Sequence, residues 1–167
     1  MREIRPSDRA EHLRFCIVAA QWNEAIVKRL VEGALGTLRQ QGASDDHIEV
    51  WWVPGSLELP GAALRAALRG AGEDEDGDDR EPFDAVIAVG CVIRGETEHF
   101  RLVSDHAAAG LMRVALDADL PVTNGVIAAY DLAQAESRSG GEHGNTGAQA
   151  ALAAVRMANL HRASEVS

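Results

Sequence analysis

The stretch Gly90-Cys91-Val92-Ile93-Arg94-Gly95-Glu96-Thr97-Glu98-His99-Phe100 carries the densest set of groups able to do chemistry. An apolar run ends there in a glycine-punctuated loop, and a helical pattern begins near its end. Free backbone N–H groups at such a helix start, with the Thr97 hydroxyl, suit an anion of the phosphate class. His99 stands just past the turn, where an imidazole titrating near neutrality can pass protons to a bound substrate. The same histidine reads equally as a cap or a surface residue. His99 and His106 lie two helical turns apart, too far to share one metal ion, and no third ligand accompanies them.

Trp22 sits where an apolar run turns into a helical pattern. An indole there can stack on a planar heterocycle or close the edge of the core, and Asn23 can orient that ligand or cap the helix. In Pro54-Gly55-Ser56-Leu57-Glu58-Leu59-Pro60, Glu58 offers an acceptor for sugar hydroxyls, or is a first-turn carboxylate favoured by the helix dipole. Arg138 ends a short helical stretch, placed to close on a phosphate or to cap carbonyls. Serine-triad and P-loop patterns are absent.

These groups need a scaffold, and the hydrophobic pattern supplies one. Phe15 to Ala20 is a continuous apolar run, as expected of a strand covered on both faces. Ile26, Val27, Leu30, Val31, Ala34, Leu35 and Leu38 form one helical face that ends near Gly42. A strand is expected from His47 to Val53, then a helix from about Leu59 to Leu68 with Pro60 in its first turn. Phe83 to Val89 reads as a third strand. A longer helix follows, with Val103, Ala107, Leu111 and Val114 inward, and then a fourth strand from Pro121 to Ala128. A short helix from about Leu132 to Ser137, a glycine-rich loop through Gly147 and an alanine-rich helix to about Leu160 complete the chain. Strands alternating with helices imply a parallel sheet in a three-layer α/β sandwich. Ligands of such sheets bind beyond the carboxyl ends of the strands, so 21–23, 54–58, 90–99 and 128–138 should cluster at one edge.

The 167 residues suggest one domain, 1–167, with volume for a real core. The hydrophobic fraction of 46% is that of a globular protein, and no apolar stretch approaches a membrane span. Met1 to Phe15 lacks the apolar centre of a secretory signal, so the cytoplasm is the expected compartment. Cys16 and Cys91 lie in apolar runs and read as buried thiols, not as a disulfide or a metal cluster. Of the net charge of -10, the run from Glu73 to Glu81 contributes -6, the pattern of a solvated loop. That run lacks the ligand alternation of a calcium loop, and the overall acidity argues against nucleic acid as a partner.

Ordered segments along most of the chain resemble the lumazine synthase family. They are Ala20-Gln21-Trp22-Asn23, the stretch from Ile48 to Pro60, the stretch from Gly90 to Phe100, Pro121-Val122-Thr123-Asn124-Gly125-Val126, Gln134-Ala135 before Arg138, and Asn145-Thr146-Gly147. The tail Met157-Ala158-Asn159-Leu160 is similar as well. The most specific signal is Val-Ile-Arg-Gly followed by a threonine, one residue, a histidine and an aromatic. An N-terminal extension, 1–12, and an acidic loop insertion, 71–82, fall outside the resemblance.

The resemblance implies a four-stranded parallel sheet in flavodoxin-like order, and a transferase of riboflavin biosynthesis that needs no cofactor or metal. Its reactants are a ribitylamino-uracil and a four-carbon sugar phosphate. Carried onto this chain, Trp22 stacks on the pyrimidine with Asn23 beside it, and Ser56, Leu57 and Glu58 hold the ribityl chain and ring edge. Backbone groups of Cys91, Val92 and Ile93 read the uracil. Glu96, Thr97 and Arg138 occupy the phosphate site, and His99 transfers protons. Asn124 completes the pocket from a neighbouring subunit.

Four departures stand out. Thr146 replaces a frequent lysine, Glu96 a neutral residue, Arg101 an acid, and Ala128-Ala129-Tyr130 stands where hydroxyl residues and an acid are usual. The implied partners are small-molecule substrates and further copies of the chain, without nucleic acid or membrane. The implied assembly is a homopentamer, and the short 138–147 loop points towards an icosahedral shell of twelve pentamers. The N-terminal segment is a candidate to pair with a neighbour's sheet. The alternative is a paralogue of the same fold that binds flavin or lumazine without making it.

Overall fold

The structure, a computed structural model, describes Met1 and residues 3–69 and 81–165. Four strands, β1 (Phe15–Ala20), β2 (Ile48–Val53), β3 (Ala85–Ile93) and β4 (Val122–Ala129), form one parallel sheet in the order β2-β1-β3-β4. Parallel neighbours cannot be joined by a hairpin, and helices make the crossovers: α1 (Glu24–Gln40), α2 (Leu59–Ala67) and α3 (His99–Asp117). After β4 come α4 (Leu132–Arg138), a small antiparallel hairpin of β5 (Ser139–Gly141) and β6 (Gly144–Asn145), and the long α5 (Thr146–Glu165).

The central strand β1 is fully enclosed, and its side chains alternate between two cores. Phe15, Ile17 and Ala19 join Leu30, Ala34 and Leu38 of α1 and Ala151, Ala154 and Val155 of α5. Cys16, Val18 and Ala20 face Leu59, Ala63 and Ala66 of α2 and Leu111 and Val114 of α3. The three layers and the strand order agree with the expected fold. Alanine on α5 is a packing choice, because small side chains let that helix lie close against α1 and the sheet.

Several boundaries differ from the expected ones, β2 and β4 by one residue and the end of α5 by five, and three differences have a local cause. β3 begins at Ala85 and runs to Ile93, so the glycine at position 90 lies within the strand. The glycine-rich segment before the last helix is a hairpin, turned through Gly140 and Gly144 at φ 117° and 77°. α5 begins at Thr146, one residue before Gly147, because Asn145 organises its start. The Asn145 Oδ1 accepts from the Ala148 N–H at 3.0 Å, and its Nδ2 donates to the Arg29 carbonyl of α1 at 2.8 Å.

Part of the expected N-terminal extension belongs to the domain. Ala10 and Leu13 are buried in the core, Asp8 forms a two-pronged ion pair with Arg156, and Asn159 donates to the carbonyls of Ser7 and Arg9. Met1 and residues 3–6 remain exposed. Most of the expected acidic loop, 71–82, lies outside the described residues. Among the described residues no helix is long and apolar enough to cross a membrane.

Candidate active site

The carboxyl ends of β1, β2 and β3 open into a cleft of about 360 Å³ lined by Trp22, Asn23, Gly55, Ser56, Leu57, Glu58, Cys91, Val92, Ile93, His99 and Val103. Three turns build it. After β1, the Gln21 N–H extends the ladder to the Val53 carbonyl at 2.9 Å, and Trp22 then stands 74% exposed at the cleft mouth. An indole left that open has ring faces available to a ligand. Asn23 adopts the left-handed conformation at φ 57°, which asparagine tolerates better than most residues. Its side chain does not cap α1. Nδ2 reaches across to the Cys91 carbonyl at 2.8 Å and ties the β1–α1 turn to β3.

The second turn follows β2. Gly55 is extended, Ser56–Glu58 make a single 3₁₀ turn, and α2 starts at Leu59 with Pro60 in its first turn, as expected. A Cβ on Gly55 would lie 3.0 Å from a Glu58 carboxylate oxygen and 3.1 Å from the Trp22 ring, so the glycine lets carboxylate and indole converge. Ser56 is 4% exposed, and its Oγ has no hydrogen-bond partner. A buried hydroxyl without a partner is unusual, and this one lines the cleft. It is seated against β3, where a Cβ on Gly90 would come within 2.7 Å of it.

The third turn follows β3. Cys91 is 2% exposed, and burial pushes its thiol up to about 11, which keeps it neutral. Burial also pushes the Cys16 thiol far above its ordinary range, with the nearby Glu49 carboxylate adding to the effect. Residues 94–98 are exposed, and α3 begins at His99, whose N–H donates to Thr97 Oγ1 at 3.4 Å. His99 and Val103 lie one turn apart and face the cleft together.

Nine of the residues singled out from the sequence therefore meet: His99, Trp22, Asn23, Ser56, Leu57, Glu58, Cys91, Val92 and Ile93. Four stand elsewhere. Glu96 and Thr97 are exposed on the loop before His99 and do not line the cleft. Asn124 is exposed on the edge strand β4, its Oδ1 accepting from the Val126 N–H at 2.9 Å. Arg138 is exposed at the end of α4, where its guanidinium makes a 3.5 Å contact to Ser137 Oγ. The 128–138 segment was expected to join the cluster. Its Tyr130 instead packs behind the cleft against Arg94 and Phe100. Gly55 and Val103 were not assigned to the site from the sequence. Helical spacing from His99 would have pointed to Val103.

The arrangement offers a stacking surface, a carboxylate, an unpartnered hydroxyl, strand-end backbone and an imidazole around one volume. That set can hold a planar heterocycle with a polyol arm and move protons beside it. Residues 12–162 match the family described as 6,7-dimethyl-8-ribityllumazine synthase. Relatives bearing that name are similar along nearly the whole chain. The protein of Gemmatimonas aurantiaca is 44% identical over 160 residues, covering 96% of this chain and 91% of the relative. That of Stenotrophomonas maltophilia is 45% identical, covering 90% of each. That of Xanthomonas campestris pv. campestris is 45% identical, covering 95% and 93%. With match and geometry in agreement, the chain belongs to the 6,7-dimethyl-8-ribityllumazine synthase family.

Proposed function

We propose that this chain condenses 5-amino-6-(ribitylamino)uracil with 3,4-dihydroxy-2-butanone 4-phosphate to give 6,7-dimethyl-8-ribityllumazine, the penultimate step of riboflavin biosynthesis. The observation that carries the reading is the convergence of Trp22, Ser56, Glu58 and His99 on one cleft. The pyrimidine stacks on Trp22. Glu58 accepts hydrogen bonds from the ribityl hydroxyls, and the Ser56 hydroxyl finds in the substrate the partner it lacks in the protein. Backbone groups from Cys91 to Ile93 meet the amide edge of the uracil.

The amine attacks the ketone and water leaves as the imine forms. Loss of a proton and of phosphate then yields an enol, and ring closure expels a second water. His99, at the cleft wall, carries protons between these positions. Holding two reactants in one pose supplies much of the acceleration.

The phosphate site is completed between copies of the chain. Arg138 and Asn124 are exposed and lie outside the cleft of their own chain, which fits residues that serve a neighbour. The proposed assembly is a pentamer, and twelve pentamers make the proposed shell. Sedimentation velocity distinguishes the two sizes. The free thiols Cys16 and Cys91 suit a reducing compartment, in keeping with work in the cytoplasm.

Anaerobic incubation with both substrates tests the reaction. Enzyme-dependent lumazine and phosphate in equal amounts are expected. Bound pyrimidine or flavin with no phosphate released would instead assign the chain to binding alone.

A further inference from the structure

We infer that Arg94, Phe100 and Tyr130 form a clamp that fixes the turn carrying His99, making Tyr130 a positioning residue for the proposed proton transfer. The inference rests on that reading for its catalytic consequence, while the clamp itself stands on geometry. The Arg94 guanidinium lies 5.9 Å from the Phe100 ring centroid and 5.8 Å from that of Tyr130. The two rings meet edge to face at 6.0 Å and 60°. Three elements contribute one side chain each: the loop after β3, the first turn of α3 and the end of β4.

A delocalised guanidinium is suited to this place because it packs against ring faces while keeping its charge hydrated. Arg94 has no carboxylate partner among the described residues, so the aromatic contacts are its side-chain anchorage. Glu98 lies at the same small cavity but pairs with Arg101 at 3.5 Å.

The turn needs such an anchor. Residues 94–98 are all exposed, and Gly95 adds freedom to them. The Glu98 carbonyl accepts from the Arg101 and Leu102 N–H groups at the helix start, and before it the segment is held by the Arg94 N–H on the Ala129 carbonyl at 2.8 Å and the His99 N–H on Thr97 Oγ1 at 3.4 Å. Successive helical residues point about 100° apart. His99 therefore faces the cleft while Phe100, next to it on the helix, faces β4 and the clamp. Whatever fixes the Phe100 ring fixes the rotation of the first turn, and with it the imidazole. Tyr130 is 61% exposed, so replacing it removes the clamp without opening the core.

The test compares kinetics and crystal structures of Tyr130→Leu, Tyr130→Phe and Arg94→Met with the unsubstituted protein. Tyr130→Leu and Arg94→Met are expected to lower kcat about tenfold, with KM for both substrates within about twofold, as for a misplaced catalytic group. Tyr130→Phe keeps the ring and should retain full kcat. In crystals of Tyr130→Leu the 94–100 turn should shift and the His99 ring rotate from its place. Full kcat with an unmoved turn in Tyr130→Leu would overturn the clamp, as would a Tyr130→Phe variant as slow as Tyr130→Leu. If the unsubstituted protein forms no lumazine while the turn still shifts in Tyr130→Leu, the proposed reaction fails and the clamp stands.

Discussion

The side chain of Asn23 donates a 2.8 Å hydrogen bond to the backbone carbonyl of Cys91, joining the turn after β1 to β3 across 68 residues of sequence. Both residues line the cleft, and the bond fixes the turn that presents Trp22. Asparagine meets two demands there, a left-handed backbone at φ 57° and an amide long enough to reach β3. The two demands separate by substitution. Asn23→Gly keeps the conformation and loses the bond, at a cost of about 1 kcal/mol. Asn23→Ala loses both and should cost about 2–3 kcal/mol. Urea denaturation of the two variants checks the order, and equal stability would mean the backbone conformation carries no strain.

A second close approach constrains the cleft from below. Gly90 leaves room for the Ser56 hydroxyl, which would lie 2.7 Å from an added Cβ. Gly90→Ala should therefore push Ser56 outward at a cost of about 1–3 kcal/mol. The expected kinetic sign is a raised KM for the pyrimidine with little change for the sugar phosphate. A variant with native stability and an unchanged pyrimidine KM would show that the 3₁₀ turn shifts without harm to the site.

How far the sequence reached follows from what decides each feature. β1 and α1 were legible because continuous burial and a 3.6-residue period are local signals. The cleft was legible because parallel sheets place their loops at one edge. The length of β3 was not, since Gly90 looks like a loop residue, and its close contacts with Ser56 and Leu59 explain why a strand keeps a glycine there. The fastening of Asp8 to Arg156 was equally hidden, because it joins residues 148 apart in the sequence. Asn124 was singled out by resemblance alone and Arg138 by its place at a helix end, and neither lines the cleft of its own chain among the described residues. The packing of Tyr130 behind Phe100 had no local signal at all.

The buried thiols give stability a dependence on alkaline pH. The folded protein raises Cys91 to about 11, from about 8.5 in an unfolded chain. The neutral thiol is thus favoured by folding. Its contribution is full below about pH 8.5 and is lost as pH rises through 11. Cys16 shifts in the same direction. The denaturation midpoint should fall from about pH 8.5 upwards, and a Cys16→Ala, Cys91→Ala variant should show a flatter profile. Both thiols should also resist a disulfide reagent until the chain unfolds. Fast modification of the folded protein would contradict their burial.

The division of the proposed site between chains makes the sharpest prediction. His99 lines its own cleft and Arg138 does not, and on the proposed reading the two residues that act on one substrate pair come from different copies. His99→Ala should slow lumazine formation by about 10²–10⁴ while pyrimidine affinity stays nearly intact. Arg138→Ala should raise the KM for the sugar phosphate specifically, because the guanidinium is assigned to phosphate alone. Unfolding the two variants together and reassembling them would then mix defects. A site between a His99→Ala copy and an Arg138→Ala copy is wholly intact in one of its two arrangements and doubly damaged in the other. Mixed assemblies should therefore turn over at low sugar phosphate faster than either variant alone. If activity in the mixture equals the mean of the two parents at every ratio, His99 and Arg138 serve the same chain, and the shared site is wrong.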